Sequence, residues 1–125
     1  QLIGWVAPDS VPSLMNRATM VIISSRWEGF PSVGLQGAAM ARPIVATRVG
    51  GLPDIVADGE TGVIVEPGDS KALGQAVISL LEHPELAREM GKAGRKRVEK
   101  LFSWQRCVGR YDALYRQLTD GKASL

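Results

Sequence analysis

The chain has one cysteine, Cys107, and one histidine, His83, in 125 residues. A single cysteine excludes an internal disulfide framework, and so small a stock of His and Cys argues against an all-His/Cys zinc site. Long apolar runs are also missing. The uncharged stretch from Pro31 to Ala41 contains Gly, Ser and Gln, and is too short and too polar to span a bilayer. No basic segment followed by an apolar one opens the sequence, so no secretory signal is expected. Aromatic residues are scarce at 6%, and none interleave the basic residues as they do in binders of single-stranded nucleic acid. What is present is ordinary for a globular domain: 45% hydrophobic and 22% charged residues, with a net charge of +2. A chain of this length makes about one domain with one modest core. Metal-independent chemistry in the cytoplasm is the default expectation.

The charge is uneven. Residues 1–60 carry four basic and five acidic side chains, and residues 61–125 carry eleven and eight. Most of the excess lies in Arg88, Lys92, Arg95, Lys96, Arg97 and Lys100, with Glu89 and Glu99 among them. An anionic membrane surface or nucleic acid could meet such a cluster. The interleaved glutamates, and the lack of aromatic stacking residues among the basic ones, favour the solvated face of a helix, with no nucleic-acid partner.

Four apolar runs read as strands: Leu2 to Val6, Met20 to Ser24, Pro43 to Thr47 and Gly62 to Val65. They do not alternate, which is the pattern of strands covered on both faces. Between them, Val11 to Ala18, Val33 to Ala41 and Leu52 to Ala57 carry helical signals, and Pro31 suits a first turn. After Val65, Asp69 or Ser70 caps a helix presenting Leu73, Ala76, Val77, Leu80 and Leu81. Pro84 starts another, with Leu86, Met90, Ala93 and Val98 inward. Ser103 caps a last one, in which Trp104, Cys107, Val108, Tyr111, Leu114, Tyr115 and Leu118 form a stripe expected to pack in a core. Strand–helix alternation predicts an α/β fold, a Rossmann-like parallel sheet with flanking helices. The tail from Asp120 to Leu125 is expected to fray.

Chemistry is concentrated between Ser24 and Gly62. Open parallel sheets bind ligands beyond the carboxyl ends of their strands, and a helix starting there offers free N–H groups to an anion. Pro31 has no N–H, so Ser32, Val33 and Gly34 are the candidate donors. Glu28 is the only carboxylate on this loop; phosphate repels it, so neutral hydroxyls or a cation suit it. Phosphate at the helix start and hydroxyls at Glu28 together suggest a sugar phosphate or sugar nucleotide. Gly34 and Gly37 each cost roughly 1 kcal/mol against alanine in a helix, which points to close packing there. Gly50-Gly51 serves either a tight turn or a ligand. Trp27 covers either core or substrate, and Arg26 and Arg48 are expected at the surface.

The run Glu28-Gly29-Phe30-Pro31-Ser32-Val33-Gly34-Leu35-Gln36-Gly37-Ala38-Ala39-Met40-Ala41 resembles the EGFPxxxLEAMA signature of family-4 retaining glycosyltransferases with the GT-B fold. Pro43 to Thr47, Val49 to Val56, Asp58 to Val65 and Pro67 to Asp69 are similar to its continuation, Leu2 to Val6 to the strand before it, and Phe102-Ser103-Trp104 to the start of the family's last helix. The resemblance covers nearly the whole chain. It implies that Glu28 bonds hydroxyls of a nucleotide-diphosphate sugar donor, with the backbone of Gly29 and Phe30 beside it and Pro31 leading into the helix. The amides of Ser32 and Val33 would hold the diphosphate, Gln36 would face the ribose, and the backbone around Val6 would lie near the base. Transfer with retention, to a sugar or lipid-linked acceptor, would then need no metal and no cofactor.

Two departures stand out. Gln36 replaces the second glutamate of the family's E-x7-E motif, which removes a charge-assisted bond. No segment resembles the family's R-x4-K diphosphate clamp or its amino-terminal acceptor domain. The resemblance thus implies that residues 1–125 are the carboxy-terminal donor part of a longer enzyme, inactive alone. Residues 103–118 would form a helix returning toward the amino-terminal domain, and peripheral membrane contact stays open. A non-catalytic nucleotide- or sugar-binding module is the rival reading, and a structural fragment without ligand is a third. The family's strand order, 3-2-1-4-5-6, makes the four runs here strands 3, 4, 5 and 6. Three outcomes follow for the sheet: Leu2 to Val6 moves beside Met20 to Ser24, two chains pair across that edge, or the missing strands belong to a longer molecule.

Overall fold

A computed structural model describes residues 2–119. After a 3₁₀ turn at Pro8–Ser10 come α1 (Val11–Arg17), β1 (Val21–Ile23), α2 (Ser32–Ala39), β2 (Ile44–Thr47), α3 (Leu52–Ile55) and β3 (Gly62–Val65). Three longer helices follow: α4 (Ser70–Glu82), α5 (Pro84–Leu101) and α6 (Trp104–Thr119). The strands form one parallel sheet in the order β1-β2-β3, with Val21 opposite Ile44 and Ile44 opposite Gly62. The α/β expectation with a parallel sheet holds. The expected fraying of Asp120 to Leu125 lies outside the described residues.

Each face of the sheet carries its own core. Ile23, Ile44, Ala46 and Ile64 pack with Ala38 of α2, Leu52 and Ile55 of α3, and Val98 of α5. On the other face Val45 and Val65 meet Ala76 and Leu80 of α4 and Ala87 and Met90 of α5. All four residues of β2 are buried, as its unalternating sequence predicts for a central strand. The small residues of α2 serve close approach: Gly34 faces Ile23 and Ile55, and Gly37 faces Val21.

Four expectations are corrected. Leu2 to Val6 forms no strand; Leu2, Ile3 and Trp5 are exposed, because no described sheet edge pairs with that run. It has not moved beside β1, whose outer edge is unpaired among the described residues. β1 nonetheless stands, through its ladder to β2 and the packing of Val21 and Ile23, but it is not covered on both faces as its unalternating sequence predicts, since Ile22 is exposed. Second, Leu86 and Leu81 are exposed, because their positions fall at the margins of the faces that α5 and α4 bury. Third, the stripe on α6 is not in a core. Trp104 is 76% exposed, Tyr111 58% and Tyr115 62%, and no residue of α6 is buried. Fourth, Cys107 on that stripe is exposed rather than packed.

The caps behave as the sequence predicts. Asp69 accepts from the Ala72 amide at 2.8 Å, His83 stands between α4 and α5, and Ser103 Oγ accepts from the Arg106 amide. The basic face of α5 is a solvated one: Arg88 pairs with Glu85, Lys92 with Glu89 and Arg95 with Glu99. Arg97 turns inward and donates to the carbonyls of Asp54 and Ile55, tying α5 to the end of α3.

Candidate functional site

Parallel strands end at one edge of the sheet, so the loop after β1 (residues 24–31) and the loop after β2 (residues 48–51) are neighbours. The first carries Glu28, and the second fixes its backbone. The Gly51 amide donates to the Gly29 carbonyl at 2.7 Å. Gly50 has φ of 51°, and a Cβ there would strike the carbonyls of Glu28 and Gly29. A Cβ on Gly51 would run into the Phe30 ring. The Gly50-Gly51 pair therefore does more than turn the chain: it lets one loop close onto the other. The two are 22 residues apart in sequence, and no local signal announces the contact.

The Glu28 side chain is half-buried and accepts from the Ser25 hydroxyl at 2.6 Å. Ser25 is in turn held through its carbonyl, which accepts from the Thr47 hydroxyl at 2.6 Å. Sequence reasoning passed over both Ser25 and Thr47. The three-residue spacing from Ser25 to Glu28 was the available signal for the first, and a polar residue ending a buried strand for the second.

Pro31 is extended, with φ of −73° and ψ of 112°, and stands immediately before α2 rather than inside its first turn. The helix thus begins at Ser32. Ser32 and Val33, at its first two positions, have no intrahelical acceptor for their N–H groups, and both residues are exposed. Gly34 is removed from the candidate donors, because its amide bonds the Pro31 carbonyl at 3.1 Å. Gln36 lies one turn on, and its residue is exposed. It lines a cavity of about 340 Å³ together with Val6, Met15 and Met40. Val6 and Gln36, assigned to the same end of a ligand from the sequence, are thus on one cavity wall.

Phe30 projects the other way. Its ring meets Phe102 with centroids 5.7 Å apart and lines a groove of about 620 Å³ with Leu35, Arg106, Cys107 and Tyr111. Trp27 is 84% exposed and covers no core. Arg48 pairs at the surface with Glu66 at 2.7 Å, and Arg26 is exposed. Among the described residues no cluster of His, Cys, Asp and Glu could hold a metal ion, and no helix is long and apolar enough to cross a membrane.

A parallel sheet flanked by helices, with a half-buried glutamate and a helix start at its carboxyl edge, makes this an α/β domain. The model of the family of glycosyl transferases group 1 matches residues 1–97, and the chain belongs to that family. It is 37% identical over 120 residues to an uncharacterized glycosyltransferase of Methanocaldococcus jannaschii, covering 96% of this chain and 34% of that protein. A sucrose-phosphate synthase from Thermosynechococcus elongatus superposes with a TM-score of 0.90 at 34% identity, over 97% of this chain and 30% of that one. The Anabaena protein HepE, solved with UDP-glucose, shares the fold at a TM-score of 0.80 and 22% identity, over 94% of this chain and 31% of that one. The chain spans about a third of the length of these relatives. Its order β1-β2-β3 agrees with the order 4-5-6 that the resemblance implies for these runs.

Proposed function

We propose that the chain supplies the donor-binding part of a retaining glycosyltransferase, which moves a sugar from a nucleotide-diphosphate donor to an acceptor. The observation that carries this is one loop. Across the six residues from Glu28 to Val33, it and the helix start that follows offer a carboxylate, Glu28, and two free amides, Ser32 and Val33, at the carboxyl edge of a parallel sheet. These two chemistries suit the two ends of a sugar diphosphate. The carboxylate accepts from sugar hydroxyls, and the helix start meets the diphosphate with N–H groups and a positive dipole end.

On this reading the diphosphate departs as negative charge gathers on its oxygens, and Ser32 and Val33 stabilise that charge most when it is greatest. The acceptor hydroxyl attacks the oxocarbenium-like carbon from the face the diphosphate leaves and gives its proton to the departing diphosphate oxygen, so the configuration is kept. Glu28 holds the sugar for that attack, with Gly29 and Phe30 fixing its approach. Gln36 bonds the ribose and the Val6 backbone borders the base; both line one cavity. A sugar or lipid-linked acceptor sits on an amino-terminal domain, toward which α6 runs with its uncovered stripe. UDP-glucose bound to the Anabaena relative is the kind of donor this site would take.

The test uses the full-length protein with UDP-glucose, GDP-mannose and ADP-glucose as donors and simple glycosides as acceptors. Wild type transfers from at least one donor, and NMR of the product shows the donor's anomeric configuration. Glu28→Ala lowers kcat/KM by on the order of a hundredfold. Equal turnover of wild type and Glu28→Ala refutes the role of Glu28, and an inverted product refutes retention. Nucleotide binding without transfer to any acceptor points to a binding module.

A further inference from the structure

Thr47 ends β2, and its side chain is 4% exposed. Its hydroxyl lies 2.6 Å from the Ser25 carbonyl and 3.4 Å from that of Ile23, so its one proton goes to Ser25. The Ser25 hydroxyl in turn donates a hydrogen bond to Glu28 Oε1 at 2.6 Å. Two hydrogen bonds therefore link a buried strand end, through the backbone and side chain of one loop residue, to a single oxygen of the carboxylate. Among the described residues, Ser25 makes the only hydrogen bond to that carboxylate. The neighbouring loop grips the backbone of Glu28 and Gly29 through Gly50 and Gly51, but among the described residues it makes no hydrogen bond to the carboxylate. Backbone and side chain are thus held by separate devices.

We propose that Ser25 is a positioning residue for donor turnover, acting through Glu28 and anchored by Thr47. The inference rests on the reading that Glu28 touches the donor sugar. An ionised carboxylate has about four acceptor sites, and the Ser25 hydroxyl fills one of them. That bond fixes the side-chain torsions of Glu28 and leaves Oε2 for hydroxyls of the sugar. Without it, a side chain with three rotatable torsions beside Gly29 samples several staggered arrangements, few of which meet the sugar. Ser25 itself never contacts the reacting atoms.

The experiment compares Ser25→Ala, Ser25→Thr, Glu28→Ala and the Ser25→Ala/Glu28→Ala double variant in the full-length enzyme. It uses whichever donor of the three the wild type turns over. Ser25→Ala lowers kcat/KM for that donor by on the order of tenfold. Ser25→Thr, which keeps the hydroxyl, recovers most of the loss. Binding of the free nucleoside diphosphate, measured by calorimetry, is unchanged in Ser25→Ala, because that ligand has no sugar for Glu28 to hold. The double variant is no slower than Glu28→Ala alone, since removing the carboxylate leaves Ser25 nothing to orient. Losses that multiply in the double variant, or diphosphate binding that falls with turnover, overturn the proposal in favour of a general loop defect. Full turnover in Ser25→Ala beside a slow Glu28→Ala overturns the positioning role alone. Full turnover in Glu28→Ala overturns both that role and the donor-sugar reading. If Glu28→Ala is too slow to measure, the threonine rescue and the diphosphate binding decide.

Discussion

Helix α5 buries Ala87, Met90, Gly91, Gly94 and Val98, whereas α6, beginning three residues after α5 ends, buries nothing. Both helices carry an apolar stripe at helical spacing, with arginines among their other positions. The difference lies in what stands opposite the stripe. α5 lies along α2 and reaches both cores, and Gly91 comes so close to the loop after α2 that a Cβ would strike the Ala41 carbonyl. α6 faces an open groove with Phe30 and Phe102 on its floor. Periodicity states which face of a helix seeks cover; it does not say whether the cover lies within the same 125 residues.

The comparison breaks most severely at Gly91. Gly91→Ala in the full-length protein places a methyl group against backbone that cannot rotate away, at a cost of about 3 kcal/mol. Chemical denaturation of the variant checks this: a lowered midpoint is expected with an unchanged slope. An unchanged midpoint would show that α5 slides along α2 more freely than its contacts imply.

A smaller effect is expected on α6. If an amino-terminal domain covers the stripe, as proposed, Leu114→Ser in the full-length protein removes apolar contact worth about 2 kcal/mol. The thermal midpoint reports it. A wild-type midpoint in Leu114→Ser would show that the stripe stays in water, and that α6 and α5 differ permanently rather than by want of a partner.

These two helices also mark what the sequence made legible. Pro43 to Thr47 and Gly62 to Val65 read correctly as covered strands because their cover, α2 to α5, lies within the chain. Leu2 to Val6 has the same apolar pattern and forms no strand, since a strand needs an edge to pair with and a run of residues does not encode one. Glu28 and the start of α2 could be found from local signals: a lone carboxylate, a proline, then a helical run. The closure of Gly50-Gly51 onto Glu28-Gly29-Phe30 could not, because it depends on two loops meeting at the same sheet edge. Cys107 failed for the reason α6 did. Its place on an apolar stripe was legible, and the emptiness opposite that stripe was not.

The smallest effect is expected on the solvated face of α5. Lys92 Nζ donates to Glu89 Oε1 at 2.9 Å, and this bond, with the lysine's charge, holds the Glu89 carboxyl below its ordinary value. A carboxyl with a lower pKa folded than unfolded lends its stabilisation above the unfolded pKa. That contribution is lost as pH falls through the folded value. The sign is therefore toward lower stability in acid. Both side chains are more than half exposed, so water and salt screen the pair and its worth is slight. Glu89→Gln in the full-length protein is expected to leave the thermal midpoint at pH 7 within the scatter of replicates. The difference from wild type should shrink further as pH falls through the carboxylate range. A clear drop at pH 7 that vanishes in acid would instead show that this charged face is held against something, and that α5, like α6, has a surface waiting for a partner.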